Sequence, residues 1–164
     1  MSLTKKTTNY YAFTLIELLV VIAIIAIITS LSGIGMKNAF ESTRDAQRKS
    51  DLKQYQTALE RQANANNGFY ESRTPTTPLS STVCSDLGLT NCPEDPKYLK
   101  DSSSWIPYRY YSNGAGSGNP TATVYVMWAK LENRSTATAY WVNCSNGKSK
   151  EVENTEPSSS TCPF

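Results

Sequence analysis

One carboxylate in this sequence sits where a carboxylate is costly. Glu17 is the only charged residue between Ala12 and Met36, in an otherwise uncharged run that begins FTLIELLVVIAIIAIITSL. On insertion scales a carboxylate at the centre of a membrane helix costs about 2.5–3.5 kcal/mol, less near an interface, and such residues are usually kept for a partner. The chemistry open to Glu17 is therefore the neutralisation of a cation. Catalytic chemistry has little to work with. The chain contains no histidine, which removes the commonest general base and the commonest metal ligand. Serines are abundant, but there is no G-x-S-x-G elbow. The carboxylates are scattered over charged stretches, so no set of nucleophile, base and orienting group can be assembled. No catalytic residue and no cofactor are assigned, and the chain reads as a non-enzyme.

The four cysteines, Cys84, Cys92, Cys144 and Cys162, all follow residue 80. With no C-x-x-C pair and no histidine they do not read as a zinc site. An even number in a head outside the cytoplasm reads as disulfides. Three pairings are open. The favoured one joins Cys84 to Cys92 as a clip within a loop and Cys144 to Cys162 as a tie from the tail to the last strand. Glu94, Asp95 and Asp101, with the hydroxyls of residues 102–104, are oxygen donors of the kind calcium takes. There is no EF-hand ladder among them, and the reading adopted is a solvated polar loop with no metal. The ten tyrosines and three tryptophans fall mostly in strand patterns, where packing is their default role. A stacking platform for single-stranded nucleic acid is the less favoured reading. Net charge points the same way: it is +2, and without Lys5 and Lys6 the charges balance. That argues against a strongly basic surface for holding nucleic acid, though not against a local patch. Asn133-Arg134-Ser135 and Asn143-Cys144-Ser145 fit the glycosylation sequon, and no weight is placed on them.

These residues need elements to hold them. Residues 1–11 are polar and carry two lysines. The apolar run that follows is long enough to cross a bilayer core of roughly 30 Å, and the preceding lysines place its N-terminal side in the cytoplasm. Residues 37–66 are rich in helix formers. Glu41/Arg44, Asp45/Arg48 and Asp45/Lys49 have helical pair spacing, and Leu52, Tyr55, Leu59 and Ala63 form one apolar stripe. With no proline before Pro75, the pattern predicts one helix from Phe13 to about Asn66, some 80 Å long at 1.5 Å per residue. Gly33 and Gly35 are its soft point, and Asn66-Asn67-Gly68 is its stop. Residues 71–104 read as a long structured loop. Trp105–Tyr111, Ala122–Leu131 and Ala137–Cys144 read as strands joined by hairpin-length connectors, and 145–164 as a polar tail.

Three explanations compete for the apolar run. A cleaved secretory signal has a shorter apolar core and no glutamate. A plain signal anchor leaves Glu17 without a reason. The third is a resemblance. Ala12-Phe13-Thr14-Leu15-Ile16-Glu17-Leu18-Leu19-Val20-Val21 closely resembles the processing motif of type IV pilins and type II secretion pseudopilins. The resemblance implies that a membrane peptidase removes a short basic leader by cutting between Ala12 and Phe13, then methylates the new amine. Glu17 becomes the fifth residue of the mature chain. The family usually has glycine where Ala12 stands. The similarity continues through Arg44–Leu52, Ala58-Leu59-Glu60 and Asn67-Gly68-Phe69-Tyr70.

The resemblance implies an α+β pilin fold, a long N-terminal helix whose second half packs on a three- or four-stranded antiparallel sheet. Residues 1–12 are then a leader, 13–36 the transmembrane and filament-core half of the helix, 37–66 its amphipathic half, and 67–164 a head outside the cytoplasm. The amine of Phe13 on one subunit is expected to meet Glu17 of a neighbour. Burial of either charge alone is costly, and pairing offsets that cost. Implied partners are copies of the chain and minor pilins, a prepilin peptidase, an assembly platform in the inner membrane, and lipid before assembly; nucleic acid is not expected. Localisation would be the bacterial cytoplasmic membrane, then a filament outside it. A C-terminal disulfide loop is common in pilins and generally missing from major pseudopilins, which favours a pilus subunit. A secretion pseudopilin and a competence pilin are the alternatives within the class. A singly anchored surface protein that never polymerises is the alternative outside it.

Overall fold

The computed structural model describes residues 13–31, 36–132 and 137–164. The chain divides into two units after Lys37. The first holds helix α1, Leu15–Leu31. Every described side chain from Phe13 to Ser30 is exposed. Its sequence is apolar all round rather than on one face, the pattern of a helix meant for an apolar environment. Among the described residues no helix is long and apolar enough to cross a membrane. The 17 residues of α1 span about 26 Å at 1.5 Å per residue. The leader, residues 32–35 with their two glycines, and the expected continuity of the helix through them lie outside the described residues.

Helix α2 runs over Met36–Ala65. The stripe expected on it is the buried one: Leu52, Tyr55, Leu59 and Ala63 are all buried, with Ala58 beside them. The stop is where the sequence puts it. Asn67 adopts a positive φ of 56°, and the Gly68 N–H donates to the Ala63 carbonyl at 2.8 Å. This is the six-to-one bond of a Schellman ending, with Asn67 in the left-handed position.

Among the described residues the chain then forms seven strands: β1 Tyr70–Glu71, β2 Thr77–Pro78, β3 Arg109–Ser112, β4 Pro120–Ala122, β5 Tyr125–Lys130, β6 Ala139–Cys144 and β7 Ser149–Glu153. One antiparallel sheet has the order β2-β3-β5-β6-β7, and β1 pairs with β4 in a second. The fold is α+β, as expected of a pilin. The main sheet carries five strands against the three or four anticipated, because two-residue β2 extends one edge and β7 the other. The tail read as polar chain thus contributes β7. Its sequence, SKEVE, has one apolar residue and no alternation to announce a strand. Pairing with β6, not local pattern, makes it one. The segment read as a loop contains a π-helical turn, Leu79–Val83, leading into a short α-turn at Cys84–Asp86.

Strand alternation sorts the core into two layers. Tyr125, Met127 and Ala129 join Tyr110 and the α2 stripe in one buried cluster. Val126 and Trp128 join Tyr140, Val142 and Cys144 in a second, against which Cys162 and Phe164 of the tail pack. The sheet is therefore covered on both faces, by α2 on one and by the C-terminal tail on the other.

Candidate functional site

The residues singled out at the start of α1 form a local arrangement of their own. The Thr14 hydroxyl donates to Glu17 Oε2 at 2.7 Å and the Thr14 N–H donates to the same oxygen at 2.9 Å. In return the Glu17 N–H donates to the Thr14 hydroxyl at 3.3 Å. This reciprocal pair is a capping box, T-x-x-E, which satisfies amide donors that the first turn of a helix leaves open. The signal is legible in Thr14-Leu15-Ile16-Glu17, and a reading that treated Glu17 only as a membrane anomaly misses it. Both Thr14 donors go to Oε2, so Oε1 has no donor among the described residues. The acid also lies in the first turn, where the helix macrodipole favours negative charge. Phe13, the residue before the cap, is 82% exposed. Ala12 lies outside the described residues.

In the head the charges along α2 enter a network that reaches beyond the helix. Arg48 is fully buried. Its Nε and Nη2 donate to the two oxygens of Asp95 at 2.6 and 3.0 Å, and Nη1 donates to Asp45 Oδ1 at 2.7 Å. Nη2 also lies 2.6 Å from Glu132 Oε1. Arg44 grips both oxygens of Glu132 at 2.8 and 2.6 Å. One of the anticipated helical pairs, Asp45/Arg48, is therefore formed, but it is one limb of a network joining α2, the loop at Asp95 and the chain just after β5. A buried guanidinium is tolerable only when its donors are met by good acceptors, and here acceptors come from three elements. Burial alone pushes the Glu132 carboxyl up. Hydrogen bonds from Arg44 and Arg48, with their charges, outweigh it and hold the group at about 2. Below this network the buried Tyr108 hydroxyl donates to Asp51 at 2.7 Å, and burial pushes the Asp51 carboxyl up.

The three calcium candidates are put to separate uses. Asp95 is taken by Arg48 and by the N–H groups of Lys97 and Tyr98. Glu94 accepts from the Ser80 hydroxyl and from the Asp95 N–H. Asp101 closes a turn with Ser103 and Ser104, whose hydroxyls hold its carboxyl down at about 2. No group of three or more acidic or sulfur ligands able to hold a metal ion occurs among the described residues. The four cysteines are brought together as Cys84–Cys92 and Cys144–Cys162, with Cα atoms 5.8 and 5.7 Å apart. Asn143 of one sequon is buried in β6 beside a bonded cysteine. The other sequon, 133–135, lies outside the described residues.

Comparison with known proteins isolates the same end of the chain. The family described as the prokaryotic N-terminal methylation motif matches residues 8–33. That span holds Ala12, Phe13, the capping box and α1. No curated protein and no solved structure matches the chain.

Proposed function

We propose that this chain, which carries the processing motif of type IV pilin-like and pseudopilin precursors, is the structural subunit of a type IV pilus-like filament, assembled from the membrane after its leader is cut. The observation that carries this reading is the motif's position on α1, an apolar helix with every described side chain exposed from Phe13 to Ser30. An exposed apolar surface of this extent marks a surface meant to be covered. Lipid covers it before assembly and the same helices of other subunits cover it afterwards. The work done is mechanical, and no residue is assigned to catalysis.

Glu17 has two roles in this proposal. Within one chain it caps α1 through Oε2. Between chains Oε1 accepts from the amine that cleavage creates at Phe13 of a neighbour. Each charge neutralises the other inside an apolar core, which sets the axial register. Breaking a buried pair by removing one partner costs about 3–5 kcal/mol. The Cys144–Cys162 loop favours a pilus subunit over a secretion pseudopilin or a competence pilin.

The test is mass spectrometry of the chain from its native host. A methylated N-terminal Phe13 is the expected species, and a chain retaining Met1 and the leader overturns the proposal. Glu17→Gln keeps an acceptor for the cap but loses the charge, so it should be inserted and processed yet give filaments at less than about a tenth of the normal yield by electron microscopy. Long surface fibres distinguish a pilus from a short periplasmic pseudopilus.

A further inference from the structure

The sequence contains three asparagine–glycine pairs, Asn67-Gly68, Asn113-Gly114 and Asn146-Gly147. In such a pair no side chain shields the glycine nitrogen, which attacks the asparagine carboxamide carbon where nitrogen, carbon and solvent are brought together. The fold treats the three pairs differently. The Asn113 carboxamide is gripped at both ends: Nδ2 donates to the Thr123 hydroxyl at 2.9 Å, and Oδ1 accepts the N–H groups of Thr123 and Val124 at 2.8 and 3.1 Å. Gly114 is packed against Ser72, with no room for a Cβ. At the end of α2 the Gly68 N–H is tied to the Ala63 carbonyl at 2.8 Å, and no donor holds the Asn67 carboxamide among the described residues.

The third pair sits at the tip of the β6–β7 hairpin, where residues 146–150 are exposed. Gly147 has a φ of 80°, and open space surrounds the position a Cβ would take, so solvent reaches its nitrogen. The Lys148 N–H donates to Asn146 Oδ1 at 3.0 Å. This bond closes over Gly147 as an Asx turn and draws the Asn146 Cγ towards the Gly147 nitrogen. It is also a donor already in place on the oxygen that takes negative charge when the nitrogen adds to Cγ. Nδ2, the leaving group, has no partner among the described residues. The contact to be released is that of the Gly147 N–H, which donates to the Cys144 carbonyl at 3.0 Å.

We propose that Asn146 is a site of self-modification, converted to aspartate or isoaspartate through a succinimide closed with Gly147. The Gly147 N–H gives its proton to solvent base, and the nitrogen adds to Cγ, forming the new C–N bond. The Cγ–Nδ2 bond breaks, and Nδ2 takes up a proton and leaves as ammonia. Water then opens the ring at either carbonyl, and no oxidant or reductant takes part. The new carboxylate lies at a groove that Asn146 and Gly147 line together with Lys53, Gln56 and Glu60 of α2. Glu60 is occupied by the Tyr70 and Tyr125 hydroxyls, whereas the Lys53 ammonium holds the neutral Gln56 Oε1 at 3.1 Å. The change therefore supplies an anion beside a cation that has a neutral acceptor, and it alters the charge of this face as the head ages. The inference is independent of the filament reading.

Peptide mapping by mass spectrometry of the full chain, purified folded in detergent and held in mildly alkaline buffer, tests it. The Asn146 peptide should gain the mass of an amide-to-acid exchange, as separable aspartate and isoaspartate forms. It should do so about tenfold faster than the Asn67 and Asn113 peptides, a barrier difference of about 1.4 kcal/mol. Equal rates at the three sites in the folded chain overturn the proposal. In urea the three rates should converge. A lead of Asn146 that persists there belongs to its local sequence and overturns the hairpin geometry as the cause. Lys148→Pro removes the N–H on Oδ1 and should slow Asn146 about tenfold. An unchanged rate in that variant overturns the role given to the bond.

Discussion

Glu132 shows how far a side chain's environment decides its chemistry. It is an ordinary carboxylate in sequence, yet two guanidiniums hold it at about 2 against an ordinary value of 4.5. The sign of the linkage follows. Above about 4.5 the group is ionised in both folded and unfolded chains, and its ion pairs contribute fully. Between 4.5 and 2 the unfolded chain takes up a proton that the folded chain refuses, so stability falls as pH falls. Urea unfolding of the detergent-solubilised chain should show a decline across this window that is shallower in Glu132→Gln. The variant should also be less stable at pH 7, because Arg44 and Arg48 lose a charged acceptor. Equal acid slopes in the two proteins would exclude Glu132 as the titrating group.

α2 works as an element because one face is apolar where it meets the sheet and charged where it meets Asp95 and Glu132. Leu59 lies in the middle of the apolar part, buried in one cluster with Tyr125, Tyr110 and Val83. Leu59→Ala should destabilise the head by about 2–5 kcal/mol, the range for leucine truncation in a packed core. Thermal melting followed at 222 nm measures it. A loss under 1 kcal/mol would mean the sheet does not depend on the helix. The end of α2 was legible from sequence because asparagine and glycine tolerate the left-handed region that a Schellman ending requires. The Thr14–Glu17 cap of α1 is equally local, and T-x-x-E before an apolar run is its full signature.

For the head as a whole, the decisive feature is a sheet buried on both faces. The tail covers the face of Val126, Trp128 and Val142, and Cys144–Cys162, closing a separation of 18 residues, holds it there. A crosslink over a loop of that size contributes roughly 3 kcal/mol by restricting the unfolded chain. Replacing Cys144 and Cys162 together with alanine should lower stability by about that amount and raise the hydrogen exchange of β7. Protection of β7 unchanged from the native protein would show that the tail stays docked without the bond.

The sequence by itself determined what depends on near neighbours along the chain: the apolar run and its cap, the helical stripe of Leu52, Tyr55 and Leu59, the stop at Asn67, and strands β3, β5 and β6. Each is encoded in spacings of two to five residues, over which backbone geometry acts directly. Tertiary structure decided the rest. Helical spacing pointed Arg44 to Glu41, and nothing local announced that its guanidinium also grips Glu132, 88 residues away. Arg48 reaches Asp95 at a distance of 47 residues. β7 exists because β6 offers an edge and the tail covers the sheet. Coulomb attraction does not distinguish one carboxylate from another in a list. Only the folded chain fixes which of them a buried guanidinium meets, because desolvation makes every other arrangement more costly.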